Sequence, residues 1–542
     1  MLGETTGDSS RYAEPETAVP RAATALSGVI RTTLGPNGMD KMVIGEKGTV
    51  IVTNDGSSII NWMDIDHPVG QLVKHVAVAQ DDSVGDGATT AVVLAGALLS
   101  EAAALRADGL HPTTIVDGYV QAFETAVDQV EQHELEIDTR YDGRLNDLAR
   151  TAITGRWDAD ATERFANLTL DALRAVDFDT SKLTLKSYAG GELRESMSVD
   201  GLVVDLQSSS TSVEVAGHAQ FGDIDNPLIA MVDGKIGISE PDHIRSVQFE
   251  NASQRDAFQD HEQSLRNSFV EAVIRSGATV LCCQKAIDDT VQTALAQNGV
   301  VPIERTRRDE FDVIARATGS TPVTSAEDLT MADTGTVDSV QWRTVGTTDT
   351  VWLRGCPNEE RVSLLLRGGT PHVADETRRI ITNCIDVTRV SLDNGMLLPG
   401  GGAVPTALSM YLSSSAREIP DRRQLVFDGF ASALEAVPRT LAENAGTNPL
   451  DVLSTLKQRH DAGTPTMGVG PDGRPSEMVE LGVFEPSTVF KTALQRAVTV
   501  ATMILRVDDI MRVGADDAVE VGHDSHDHSQ VATGGYPWAV GH

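Results

Sequence analysis

The chain of 542 residues has only four cysteines, Cys282, Cys283, Cys356 and Cys384, and their spacing matches neither a disulfide framework nor a zinc site. The adjacent pair reads as core filler, and reduced thiols fit the cytoplasm. Lysine is scarce, with nine residues against 35 arginines. No uninterrupted apolar stretch reaches the length of a membrane helix, and Met1-Leu2-Gly3-Glu4-Thr5-Thr6-Gly7-Asp8 lacks the basic and apolar regions of a secretion signal. A disulfide-built secreted module is excluded. A cytoplasmic protein without membrane contact is expected.

What is present is acid. The net charge of −35 and a pI near 4.6 argue against nucleic acid as a partner. An acidic, lysine-poor surface resembles proteins of salt-loving organisms, where screening suppresses self-repulsion. The length predicts about three domains.

The most informative stretch is Gly85-Asp86-Gly87-Ala88-Thr89-Thr90, followed by the small apolar run Ala91 to Leu99. Two glycines let a turn bring backbone N–H groups close to an anion. A helix beginning near Thr89 offers its positive end, and Asp86 can hold a divalent cation. That is the layout of a nucleoside triphosphate site, although a plain turn is compatible with Gly-Asp-Gly alone. Earlier in the chain, residues 1–20 read as an irregular polar tail and Ala22 to Arg31 as a helix running into Gly35-Pro36-Asn37-Gly38. This turn is not a common P-loop, because no Gly-Lys-Ser/Thr ends it. Val50-Ile51-Val52-Thr53 predicts a strand stopping at Asn54-Asp55-Gly56, and the sequence leaves room for a second short strand after it. Asp55 is thus a chemical candidate or a hairpin-turn residue.

Taken together, Leu34-Gly35-Pro36-Asn37-Gly38-Met39-Asp40-Lys41-Met42, Thr53-Asn54-Asp55-Gly56 and Gly85-Asp86-Gly87-Ala88-Thr89-Thr90 resemble the three amino-terminal ATP-site motifs of the group II chaperonins, the archaeal thermosome and its eukaryotic cytosolic relatives. Met63-Asp64-Ile65-Asp66-His67-Pro68 fits that family, as do Leu397 to Ala403, Leu441 to Gly446, Gly482 to Pro486 and Thr502 to Ile510. The resemblance spans about residues 20–513.

The resemblance implies a multi-domain α+β fold with nested insertions: a mainly α-helical equatorial ATP domain, a small α/β intermediate domain, and an α/β apical domain with a helical lid protrusion. Mapped onto this chain, residues 1–135 and 395–513 are equatorial, 136–204 and 358–394 intermediate, and 205–357 apical. Residues 514–542 form a flexible acidic tail with His523, His526 and His528. In the apical part, strands are expected at Val213-Glu214-Val215, Leu228 to Val232 and Gly277 to Lys285. Helices are expected over Ile287–Gln297 and Asp309–Thr318, with the protrusion over Asp242–Arg266.

The cofactors implied are ATP and Mg²⁺. Thr33, Leu34, Gly35, Pro36, Asp86, Gly87, Ala88, Thr89 and Thr90 would surround the phosphates, with Asp86 also on the metal. Gly402 and Glu485 would hold the nucleoside, and Asp55 would face the attacking water. Arg156 stands where relatives carry the lysine of Thr-Gly-Lys, keeping the charge but changing its shape. Ala88 removes a threonine hydroxyl, and Asn37 replaces a frequent lysine. Asn383 falls where relatives carry the aspartate that helps activate water, and Asp386 lies three residues on. The expected partners are unfolded protein and identical or paralogous subunits in a double ring that closes around it. The alternatives are a hydrolysis-impaired structural or regulatory ring subunit and a small-molecule phosphotransferase.

Overall fold

The computed structural model describes residues 15–45, 50–137, 140, 142–206, 222–237 and 252–507. Proline opens several of its helices, where the missing N–H costs nothing. Pro68–Val84, Pro112–Val130, Pro371–Asn394 and Pro449–Asp461 start this way, each capped by the side chain just before it: His67, His111, Thr370 and Asn448. The first helix, Pro15–Ile30, also begins on proline and reaches back into the stretch expected to be irregular.

The helix Ala88–Ala107 is the centre of the largest core. It packs against Pro15–Ile30, Pro68–Val84, Arg423–Leu434 and Ser487–Leu505, so both ends of the chain bury it together. Its length and composition would also suit a membrane span, but most of its apolar residues, Leu94, Leu98 and Leu99 among them, are spent on this packing.

Two inner cores follow in nested order. One is built from residues 137–178 and 362–397 with Phe484, around a sheet in which Val362–Gly368 pairs parallel with Leu183–Ala189 and antiparallel with Met197–Asp200. The other lies within residues 202–353. There Leu228–Val232, Val280–Cys283 and Val301–Ile303 run parallel, and an antiparallel sheet is built on Ser339–Val345 and Thr348–Arg354. Val280–Cys283 is buried at every position, as a continuous apolar run in a parallel sheet should be. A three-stranded sheet ties the ends to the middle: Met396–Pro399 pairs with Leu135–Glu136 on one side and Phe484–Pro486 on the other.

Most expected elements are present with shifted ends, such as Asp289–Gln297 and Arg308–Thr318. No second strand follows Asn54-Asp55-Gly56; the partner of Val50–Thr53 is the preceding Lys41–Ile44, and a helix, Gly56–Trp62, comes next. The Asp55 side chain accepts from Ser58 N, which makes it a helix cap, and Ile59 and Ile60 are fully buried. Helix Ala252–Arg275 covers the second part of the expected protrusion. The strand Val213–Val215, the stretch 242–251 and the tail histidines lie outside the described residues.

Candidate functional site

A cavity of about 260 Å³ opens where the two ends of the chain meet, lined by residues 33–36, 54–56, 86–90, 151–152, 400–401 and 483–486 with Thr154, Arg156 and Val489 among others. Its floor is the loop Gly85-Asp86-Gly87. Gly85 (φ +72°) ends helix Pro68–Val84 and Gly87 (φ +80°) starts Ala88–Ala107, so the turn needs two left-handed positions separated only by Asp86. Gln80 clamps it from below. Its Nε2 donates to Asp86 O (3.0 Å) and Val489 O (3.2 Å), while Arg496 donates to its Oε1 (2.9 Å). No side chain caps Ala88–Ala107, so its first-turn N–H groups face the cavity beside Thr89 and Thr90.

The second wall is the turn Thr33-Leu34-Gly35-Pro36. Asn444 Nδ2 donates to Leu34 O (2.9 Å) and Asn37 Nδ2 to Pro471 O (2.7 Å), which pins this amino-terminal loop to the carboxy-terminal part of the chain. Opposite, Arg156 follows helix Arg144–Ile153. Its Nη1 is buried and has no hydrogen-bond partner, an orphaned cationic donor at the cavity wall.

Asp55 enters from the strand end. Its Oδ2 accepts from Ser57 Oγ (2.8 Å) and Ser58 N (2.8 Å) and lies 3.1 Å from Arg379 Nη1; its Oδ1 accepts from no described residue. Burial alone would raise this carboxyl, but the Arg379 guanidinium and the serine donors outweigh it and hold it below its ordinary value. Gly56 allows the close approach, since a Cβ there would stand 2.2 Å from Thr89 Oγ1. The other carboxyls of the cavity behave oppositely, Asp86 among them, which burial within the cavity raises against the Gly87 N–H. Burial, helped by the Asp86 charge, pushes Glu485 up to about 8, and burial with the charges of Asp55 and Asp86 pushes Asp81 to about 6. Asp86 itself is exposed to the cavity, and its Oδ1 accepts from Gly87 N (2.6 Å).

Twelve of the site residues singled out in the sequence meet in this one cavity: Thr33, Leu34, Gly35, Pro36, Asp55, Asp86, Gly87, Ala88, Thr89, Thr90, Arg156 and Glu485, with Asn54 beside them from the same motif as Asp55. Two do not line it. Gly402 starts helix Ala403–Ala416 and packs on Pro438, leaving Gly400 and Gly401 at the cavity. Asn383 faces an adjoining, more open cleft with Asp81, Gly85, Arg379 and Asp386. Sequence reasoning missed Asp81 and Arg379. A usable signal existed for the second, because Arg379 lies one turn before Asn383 on the same helix and three residues after Glu376.

Residues 26–515 match the model of the TCP-1/cpn60 chaperonin family. The chain is 37% identical to the thermosome subunit alpha of Halobacterium salinarum, over 93% of this chain and 89% of that one. It is 38% identical to a thermosome subunit of Methanopyrus kandleri, over 90% of each, and 37% identical to the thermosome subunit alpha of Thermoplasma acidophilum, over the same shares. With a family model and relatives matching along almost its whole length, the chain belongs to the TCP-1/cpn60 chaperonin family.

Proposed function

We propose that this chain is an ATP-binding subunit of a group II chaperonin, assembling with identical or paralogous subunits into a double ring in the cytoplasm and closing around unfolded protein. The observation that carries the reading is the cavity itself, where an uncapped helix N-terminus, an orphaned guanidinium and several carboxyls converge from both ends of the chain. These residues fit a triphosphate with its metal. Backbone donors of residues 87–90 and the Arg156 Nη1 would hold phosphate oxygens. Asp86 would hold Mg²⁺, a hard cation that needs only one or two protein carboxylates beside phosphate oxygens. Bound there, the ion would neutralise charge on the phosphates. Glu485, protonated at neutral pH before nucleotide enters, can donate to a ribose oxygen as well as accept from a hydroxyl. Gly400 and Gly401, rather than Gly402, would lie against the nucleoside.

The nested cores support the equatorial, intermediate and apical division: the helical body from the two ends, the body around residues 137–178 and 362–397, and the innermost body within 202–353. The acidic surface, read with the likeness to a Halobacterium salinarum subunit, supports a protein adapted to high salt.

Asp86→Ala is expected to abolish Mg²⁺-dependent ATP binding while the far-ultraviolet circular dichroism stays unchanged. Titration with ATP in the presence and absence of Mg²⁺ checks this, and wild-type affinity in the variant would overturn the site.

A second reading is favoured by Asn383. An amide can orient water through its carbonyl but cannot take its proton, and loss of a positioned base costs about 10²–10⁴ in rate. In this reading the subunit binds ATP normally and turns it over slowly, as a tuning member of a mixed ring. Single-turnover hydrolysis should then rise in Asn383→Asp; a wild type that already matches the variant would reject slow hydrolysis.

A further inference from the structure

Asp55 is held by a residue that no nucleotide motif contains. Arg379 sits on helix Pro371–Asn394, which packs in the second core, whereas Asp55 and its strand belong to the amino-terminal part of the chain. The guanidinium is only 23% exposed. Its Nε and Nη2 grip Glu376 on its own helix (3.0 and 2.6 Å), Nη2 also donates to Thr53 Oγ1 (3.0 Å), and Nη1 is the group 3.1 Å from Asp55 Oδ2. Thr53 completes the joint: its hydroxyl donates to Glu376 Oε1 (3.1 Å) and accepts from Asp55 N (3.1 Å).

This arrangement is directional. Arg379 lines the adjoining cleft and not the cavity, while Asp55 lines the cavity and not the cleft. The guanidinium therefore approaches the carboxylate from behind. Both hydrogen-bond donors, Ser57 Oγ and Ser58 N, reach Oδ2, and the guanidinium lies against that same oxygen as an ion pair without a hydrogen bond from Nη1, so Oδ1 is left free to accept from water. Because Glu376 satisfies the rest of the guanidinium, the fork is fixed before it meets Asp55, and its position follows the helix that carries it.

We propose that Arg379 is a positioning residue for ATP hydrolysis: it holds Asp55 in its aim, and it makes that aim depend on the docking of helix Pro371–Asn394 against the strand end. The inference rests on reading the cavity as an ATP site with Asp55 at the attacking water. It gives the chain a direct route by which movement of the inner bodies sets the hydrolysis rate, without any change in the phosphate loops.

The experiment is single-turnover hydrolysis and Mg²⁺-ATP affinity in assembled rings of wild type, Arg379→Gln, Arg379→Lys, Asp55→Asn and the double variant Asp55→Asn/Arg379→Gln. Misaiming a catalytic group by about 1 Å costs about 10² in rate, so Arg379→Gln should lose about that factor with ATP affinity changed less than about threefold. Arg379→Lys, which keeps the charge but not the fork, should recover part of the loss, and the double variant should be no slower than Asp55→Asn alone. A purely structural role would instead lower affinity or assembly together with rate, or multiply with Asp55→Asn; either result overturns the proposal. If Arg379→Gln does not assemble, the same comparison made with Arg379→Lys and Asp55→Asn/Arg379→Lys decides. Should Asp55→Asn hydrolyse at the wild-type rate, the reading of the cavity fails; should it be slow while Arg379→Gln is unimpaired, only the role of Arg379 falls.

Discussion

The helical body made from the two chain ends and the inner β-containing bodies are joined by different forces. In the first, alanine, valine and leucine side chains bury the helix Ala88–Ala107 from several sides, and a cavity lined by polar groups opens at its start. At the seam between the two inner bodies, charge takes over. Lys186 on Leu183–Ala189 pairs with Asp205 (2.8 Å) and with Glu310 on helix Arg308–Thr318, and Tyr188 donates to Asp205 Oδ1 (2.6 Å). Lys186 and Glu310 are 11% and 12% exposed, and Glu310 Oε2 has no hydrogen-bond partner. Apolar packing tolerates small shifts, whereas a buried ion pair holds only one arrangement well. The difference teaches that the outer body is built to be rigid around its cavity, and the inner seam to be specific in geometry.

Breaking the apolar side of this contrast should have the largest effect on stability. Leu98, 1% exposed in the middle of Ala88–Ala107, should cost roughly 4 kcal/mol when changed to alanine, through lost transfer energy plus the cavity left behind. Urea denaturation monitored by circular dichroism checks it, and a loss under 1 kcal/mol would show that this core repacks freely.

Breaking the charged side should cost somewhat less and should be reversible by a second change. Lys186→Met strands two carboxylates at the seam and should destabilise by about 3 kcal/mol. Adding Glu310→Gln should restore most of that, because burial already raises this carboxyl against the pull of Lys186. If the double variant is no better than the single one, the seam is held by packing and the contrast disappears.

The smallest effect per residue is expected from the surface. With a net charge of −35, repulsion is screened within about 3 Å at 1 M salt but reaches about 10 Å at 0.1 M. Assemblies should dissociate as salt is lowered, read by sedimentation velocity, while the Lys186 seam, shielded from ions, stays intact. Rings that persist in dilute buffer would count against adaptation to high salt.

The glycine-rich turns of the cavity were legible because their chemistry is local. Gly85-Asp86-Gly87 needs left-handed backbone at fixed positions, and a turn of this kind can be read from neighbouring residues alone. Asp55 was legible as a candidate but not as a helix cap, since Asn-Asp-Gly suits a hairpin as well as an N-cap; the burial of Ile59 and Ile60 decided between them. Gly400, Gly401 and Gly402 are equivalent in sequence, and only the register of Met396–Pro399 against Phe484–Pro486 and the contact of Gly402 with Pro438 decide which of them face the cavity.

By itself the sequence determined the short-range parts: which turns carry open N–H groups, which run makes a buried strand, and that motifs at both ends share one resemblance. The tertiary structure alone decided how distant residues meet. Arg379 and Asp55 are 324 positions apart, and their 3.1 Å contact depends on how a helix of the second core docks on a strand end of the first. No local propensity encodes that distance, because it is set by the packing of whole elements rather than by the residues that make the contact.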